Sequence, residues 1–208
     1  MFNTSRCVRP TLRRTLVTIV MAVFLPCSSM TSLAQDRNMA TGPEVEVNIN
    51  GVKLKIPDLI LRDQDGRKVR LYSDLIKDKV VVLSFFYTSC AYVCTMQGKT
   101  FSKLQSLLGE RLGKSVFLIS VTRDPVKDKP GQLKAWGKRY DIHSGWTLVT
   151  GEEAEMNKIL IPFTGSPAGE GMHLAATFIG NDKTGLWTSA AGVFAPEDLL
   201  SAVDFITR

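Results

Sequence analysis

The stretch Val80-Val81-Val82-Leu83-Ser84-Phe85-Phe86-Tyr87-Thr88-Ser89-Cys90-Ala91-Tyr92-Val93-Cys94 changes character partway along, and that change decides the fold. From Val80 to Tyr87 the run is almost unbrokenly apolar, as in a central strand buried on both faces by helices. Two cysteines follow directly. From about Thr95 to Leu112 the apolar residues Phe101, Leu104, Leu107, Leu108 and Leu112 recur at helical spacing, and Val116 to Val121 is again strand-like. The chain therefore carries a βαβ unit with a dithiol at the first strand-to-helix junction.

Downstream of this unit, Asp128 and Pro130 suit a helix start, with a helix to about Tyr140, a strand at Trp146 to Val149 and a short helix at Glu152 to Leu160. Pro162 to Gly171 holds three Gly and two Pro and reads as a mobile loop, with His173 just beyond it. Ala175 to Ile179, the turn Asn181 to Gly185, Leu186 to Ala190 and a helix from about Pro196 to Phe205 complete a ββα block. Upstream, Val45, Val47 and Ile49 alternate, Asn50-Gly51 suits a type I′ turn, and Val52, Leu54 and Ile56 alternate back. Short extended pieces follow at Pro57 to Leu61 and Lys68 to Leu71, then a helical turn near Ser73 to Ile76. The expected architecture is α/β: a thioredoxin-like fold, a central mixed sheet flanked by helices, with an extra N-terminal β-hairpin.

At 208 residues, 44% hydrophobic and 22% charged, the chain has the composition of one globular core. Residues 1–34 differ. They contain Arg6, Arg9, Arg13 and Arg14, no acid, an apolar run from Leu16 to Leu25, and Ser32-Leu33-Ala34 before Gln35-Asp36. This reads as a secretory signal peptide cleaved after Ala34, with 35–43 as a linker and 44–208 as the working domain. The apolar run, roughly ten residues against the ~18 of a spanning helix, makes a retained membrane anchor the lesser alternative. Transit-peptide and lipoprotein readings of the same leader stay open. The expected location is periplasmic or otherwise exported. Removing the leader lowers the basic count from 26 to 22, against 20 acids, so the formal charge of +6 falls to +2 and nothing argues for nucleic acid.

Cys7 and Cys27 lie in the leader, which leaves Cys90 and Cys94 as the cysteines of the exported domain. At a helix N-terminus a thiol is acidified by the helix dipole and by backbone N–H groups. Residues four apart on a helix have Cβ atoms roughly 5–6 Å apart, wider than a disulfide's ~3.8 Å, so a disulfide needs local adjustment while a shared soft metal ion does not. Thiolates suit Cu(I), Zn or iron-sulfur centres, and one His added to two Cys offers a three-coordinate site. His173 is the candidate third donor, with an ordinary loop histidine as the alternative. His143, after the Lys138-Arg139-Tyr140 helix end, is explained by the helix dipole alone. Met96 and Met172 flank the candidate ligands, but methionine more often packs than ligates.

At these residues the chain resembles the SCO/SenC family of copper-binding, thioredoxin-fold proteins that help assemble the copper site of respiratory oxidases. The resemblance runs from about Pro57 to the C-terminus and rests on Phe85 to Cys90, the Cys-x-x-x-Cys spacing, Ser120-Val121-Thr122-Arg123-Asp124-Pro125 with Asp128 and Pro130, Trp146-Thr147-Leu148, and a His shortly before a strand. It implies that Cys90, Cys94 and His173 are copper ligands and that Asp124 lies near them; Asp124 also reads as a turn residue before Pro125. Ala91 and Thr95 stand where members often have Pro, and Met172 where they have Asp.

Three functions compete. A metallochaperone would hold copper and pass it by ligand exchange to the copper-site subunit of a respiratory oxidase or another cuproenzyme, without turnover chemistry. A thiol-disulfide oxidoreductase would use the Cys90/Cys94 dithiol on client cysteines, with a thioredoxin-like reductant as a further partner. A peroxidase reading rests on Thr88-Ser89-Cys90 but lacks a convincing partner Arg in the sequence. The first is the expectation, with membrane contact through the N-terminus as an added possibility.

Overall fold

The computed structural model describes residues 41–169 and 175–208. The chain divides into the units Met1–Ala34 and Gln35–Arg208, and the described residues belong to the second. The leader and His173 both lie outside them.

All seven residues of β4 (Val80–Phe86) are buried, which explains the unbroken apolar run. Its side chains alternate between two cores: Val81, Leu83 and Phe85 face one, Val80, Val82 and Phe86 the other. β4 pairs in parallel with β5 (Val116–Thr122), which pairs in parallel with β6 (Trp146–Thr150). On its other side β4 is antiparallel to β7 (Ala176–Asn181), which pairs with β8 (Leu186–Ala191). The sheet is therefore mixed, as expected, with β4 at its centre.

The N-terminal hairpin does more than extend this sheet. β1 (Thr41–Ile49) and β2 (Val52–Asp63) are antiparallel, with Asn50 and Gly51 both at positive φ as a type I′ turn requires. β2 is one strand of twelve residues, where the sequence suggested two pieces. Pro57 is accommodated because it pairs with Glu44 beside a shift of register, where a missing N–H is tolerated. Beyond Pro57, β2 pairs with β3 (Lys68–Arg70) and with β6, while Ile49 of β1 reaches Trp187 of β8. The hairpin thereby links the two sides of the sheet into a ring and covers one core with Val47, Ile49, Ile56 and Leu59. The expected helical turn is a π-helix, Leu71–Ile76, held at its start by Asp58, which accepts from Tyr72 N, Ser73 N and Ser73 Oγ at 3.1, 2.9 and 2.6 Å.

The second core lies under α1 (Val93–Leu108), α2 (Pro130–Lys138) and α4 (Pro196–Ile206), all near their expected bounds. Within it Ser84 and Ser120 pair at 2.9 Å, and Trp146 Nε1 donates to Ser120 Oγ at 3.0 Å, so the polar atoms of the two central strands are satisfied internally.

The third helix also departs from its expectation. The helix near Glu152 to Leu160 is α3 (Glu153–Thr164), which runs through Pro162 into the segment read as a mobile loop. Proline in a helix interior costs about 3 kcal/mol, less near an end where few bonds remain to be lost. Against this, burying Phe163 contributes about 2–3 kcal/mol. Its ring also meets Phe178 edge-on at 5.0 Å and Phe85 at 5.9 Å, about 0.5–1.5 kcal/mol each. Gly165, at φ 74, ends the helix by donating its N–H to Ile161 O at 2.9 Å. The next residues are also anchored: Ala168 N donates to Asn157 Oδ1 at 2.6 Å and Gly169 N to Arg123 O at 2.8 Å. Residues 162–169 are therefore packed chain, because tertiary contacts outweigh their loop-like composition.

Candidate functional site

The parallel strands β4 and β5 end side by side, and the chain leaving each forms the floor of the site. Cys90 N donates to Tyr87 O at 3.2 Å, closing a turn that puts Cys90 three residues ahead of α1 rather than on it. The Cβ spacing expected of a regular helix therefore does not apply. Cys94 is in the first turn of α1, and its backbone N–H donates to Cys90 Sγ at 3.2 Å, so the Cys90 sulfur takes the place of an N-cap oxygen. Thr95 Oγ1 donates to Cys90 O at 3.3 Å, a bond that proline, frequent here in the family the sequence resembles, cannot make.

The two sulfurs differ electrostatically. Burial pushes the Cys90 thiol up, but the Cys94 thiol, the Cys94 and Tyr92 N–H groups and the Tyr87 hydroxyl all hydrogen-bond to it and together hold it below the ordinary thiol range. Burial and the hydrogen bond to Cys90 push Cys94 up to about 12, despite relief from the Tyr87 N–H and Arg123. The first proton thus leaves Cys90, and the bridging proton stays on Cys94. Tyr87 is pushed to about 12 by burial and by its place against Cys90.

Arg123 is the principal residue the sequence reading passed over. Its side chain is buried, its N–H donates to Phe86 O at 2.7 Å, and its carbonyl holds Gly169. Burial disfavours its charge, and Cys94 and Tyr87 support it. A cation here stabilises thiolate at the neighbouring sulfur. Arg123 stands in the quoted Thr122-Arg123-Asp124-Pro125 motif, and the groups that support its charge are Cys94 and Tyr87, not Cys90 of the Thr88-Ser89-Cys90 motif.

Asp128 is the second. Its buried carboxylate accepts from Thr88 N at 3.0 Å, from Thr88 Oγ1, and from Thr122 Oγ1 at 2.5 Å, tying the loop that carries Cys90 to the end of β5. The Asp-Pro spacing carries this signal, but by itself it reads equally as a helix start. Asp124 has the contacts of a turn residue: Oδ1 accepts from Lys127 N at 3.3 Å and Oδ2 pairs with Lys127 Nζ at 3.1 Å. His143 Nε2 lies 3.3 Å from Asp141 Oδ2 on an exposed surface.

The structure thus brings Cys90 and Cys94 together. The candidate third ligand His173 and Met172 fall in the segment outside the described residues, and no group of three or more His, Cys, Asp or Glu side chains suited to a metal occurs among the described residues. That segment's two flanks are placed: Gly169 is held on Arg123, and Ala175, whose carbonyl accepts Gly192 N, enters β7, which pairs with β4 as far as Ser84 with Thr177. Both flanks lie at the end of the sheet where the cysteines sit. No helix among the described residues is long and apolar enough to cross a membrane.

Comparison with known proteins agrees with this geometry. A Stutzerimonas stutzeri protein provisionally named copper-binding is 29% identical over 168 residues, 77% of this chain and 76% of its own. BsSco, described as a member of the Sco family of cytochrome c oxidase assembly proteins with a disulfide switch, superposes with a TM-score of 0.59 at 21% identity, covering 79% of this chain and 95% of that one. Copper-bound ScoI of Bradyrhizobium japonicum gives 0.57 at 20% identity, over 79% and 99%. These structures establish the thioredoxin-like fold. The sequence model of the SCO1/SenC family matches residues 53–168, more than half of the chain, and the chain belongs to that family.

Proposed function

We propose that this protein is a copper metallochaperone: it holds copper as cargo on Cys90 and Cys94, with His173 as third ligand, and delivers it to the copper site of a respiratory oxidase or related cuproenzyme. The observation that carries the reading is the pairing of two soft sulfurs at one helix N-terminus beside the buried Arg123. Two thiolates on one monovalent copper leave a net negative centre, which the guanidinium offsets. Copper is the ion found in the Bradyrhizobium structure, and oxidase assembly is the role named for the BsSco family. His173 is in sequence reach, two residues before Ala175. Asp124 is proposed to act from the adjoining turn, by fixing the loop that carries Arg123. The leader supports export, by cleavage after Ala34.

Titration of the reduced protein with Cu(I) tests this. One equivalent should bind, and Cys90→Ser/Cys94→Ser should bind none. His173→Ala should release copper faster and lose the fall in affinity expected as pH drops through roughly 6 to 7, where imidazole protonates. Equal copper retention by the double cysteine variant would refute the reading and leave thiol-disulfide exchange, which the unequal thiols favour, as the function of the pair.

A further inference from the structure

α1 carries an exposed stripe that neither core nor site accounts for. Tyr92 and Met96 are 74% and 44% exposed beside the dithiol. Lys99 and Lys103, three and seven positions after Met96, continue its row on one side of the helix, with the exposed Tyr92 at the N-cap ahead of it. Arg139, at the end of α2, faces this row across a groove of about 370 Å³ lined by Lys99, Lys103, Ser102, Ser106, Arg139 and Asp141. The groove is rigid. Ser102 Oγ donates to Tyr140 O at 2.9 Å and Gln105 Nε2 to Asp141 O at 2.7 Å, while Gly98 lets the Tyr140 ring come within 2.5 Å of where a Cβ would stand. It is also tied to the site, since Arg139 Nη2 donates to Thr88 O at 3.3 Å, two residues before Cys90.

Its charge is one-sided. Six lysines elsewhere among the described residues pair with carboxylates, as Lys53 does with Glu46 and Lys134 with Asp65. Lys99, Lys103 and Arg139 have no acidic partner among the described residues, and the groove's single carboxylate, Asp141, is already beside His143.

From this juxtaposition we propose that the α1 stripe and the groove beside it dock a folded partner protein whose surface presents carboxylates next to an apolar patch. The apolar end, Tyr92 and Met96, seats at the dithiol and excludes water from it; the cationic end orients the partner. A protein is favoured over an anionic membrane because the groove is joined to the dithiol loop through Arg139 and Thr88, and a protein surface, unlike lipid, presents side chains that can exchange with a thiol there. The inference identifies the partner chemistry for the copper reading above, yet the surface can be tested without copper.

The test is an NMR titration of ¹⁵N-labelled, reduced, metal-free protein with two blocked synthetic peptides, each with an apolar centre, one flanked by glutamates and one by lysines. The glutamate peptide should shift amides around Tyr92, Met96, Lys99, Lys103 and Arg139. Its affinity should fall about tenfold between roughly 20 and 200 mM salt, as the Debye length shrinks from about 20 to 7 Å. Lys99→Glu/Lys103→Glu should lose that binding and gain the lysine peptide, whereas Lys77→Glu/Lys183→Glu, the same charge change elsewhere on the surface, should alter neither. Absence of binding, shifts centred on Arg67 and Lys134, or equal loss in both variants would overturn the proposal. So would preference for vesicles containing phosphatidylglycerol over the glutamate peptide. Cys90→Ser/Cys94→Ser should dock normally, so failure of the copper reading would appear only in the Cu(I) titration.

Discussion

Replacing Asp128 with Ala removes one buried carboxylate and strands three donors at once: the Thr88 amide, the Thr88 hydroxyl and the Thr122 hydroxyl. A buried donor left without a partner costs about 1–3 kcal/mol, and three such groups would naively sum to about 3–9. The hydroxyls can rotate toward other acceptors and the amide cannot, so the lower part of that range applies, about 3–4 kcal/mol. For a domain of this size, at about 2–4 °C per kcal/mol, the melting temperature should fall by roughly 10 °C. Urea unfolding of the reduced protein, followed by circular dichroism, should give the same loss at unchanged slope. Thr122→Val, which also leaves without a partner the Asp124 N–H that donates to Thr122 Oγ1, should cost about 1–3 kcal/mol, and the part due to the Asp128 bond should vanish in the Asp128→Ala background. A loss below about 1 kcal/mol for Asp128→Ala, or full additivity of the two, would show that the carboxylate is not what holds the Cys90 loop to β5.

Other outcomes follow from the same geometry. Because Cys90 is held below the ordinary thiol range and Cys94 is pushed to about 12, iodoacetamide near neutral pH should modify Cys90 first; peptide mass spectrometry showing Cys94 labelled first would contradict the assignment. Tyr87→Phe removes a hydroxyl bonded to Cys90, so the pH profile of Cys90 alkylation should move upward, and an unmoved profile would exclude that bond. Burial raises the Asp58 carboxyl, but Ser73, Arg70 and Tyr72 outweigh it and hold it below the usual range. Its stabilising contribution is therefore present above the unfolded value of about 3.9 and lost as pH falls through the lower folded one. Asp58→Asn should accordingly lose most stability at neutral pH and less near pH 3, whereas a pH-independent difference in urea midpoints would refute the linkage. Gly98→Ala should destabilise by about 1–2 kcal/mol, because the new methyl meets the buried Tyr140 ring, while Gly131→Ala, with nothing within 4 Å, should be neutral or stabilising by thermal melting.

Much of the fold was legible in the residues because the signals were local. An almost unbroken apolar run of eight residues followed by two cysteines reads as a buried central strand leading to a functional turn, and Asn50-Gly51 between alternating runs needs no distant contact to turn. The helical spacing of Phe101, Leu104 and Leu108 likewise marks the buried side of α1, while Leu107 of the same pattern is exposed. The pairing of Cys90 with Cys94 was legible for the same reason.

What the sequence by itself determined, then, was most of the elements, though not the extent of β2 or α3, and the dithiol between them, since period, turn chemistry and short spacings are written within a few residues. What the tertiary structure decided were the interactions whose partners lie far apart in the chain. Phe163 carries α3 through Pro162 because Phe85 and Phe178, distant in sequence, await it in the core. Asp128 became a clamp when β4 brought Thr88 beside β5 and its Thr122. Arg123, one of many arginines in a sequence, became the cation of the site because it is buried where Cys94 and Tyr87 sustain its charge. A residue's charge and size can be read locally, but the burial and the neighbours that turn them into free energy arise only when the chain has closed on itself.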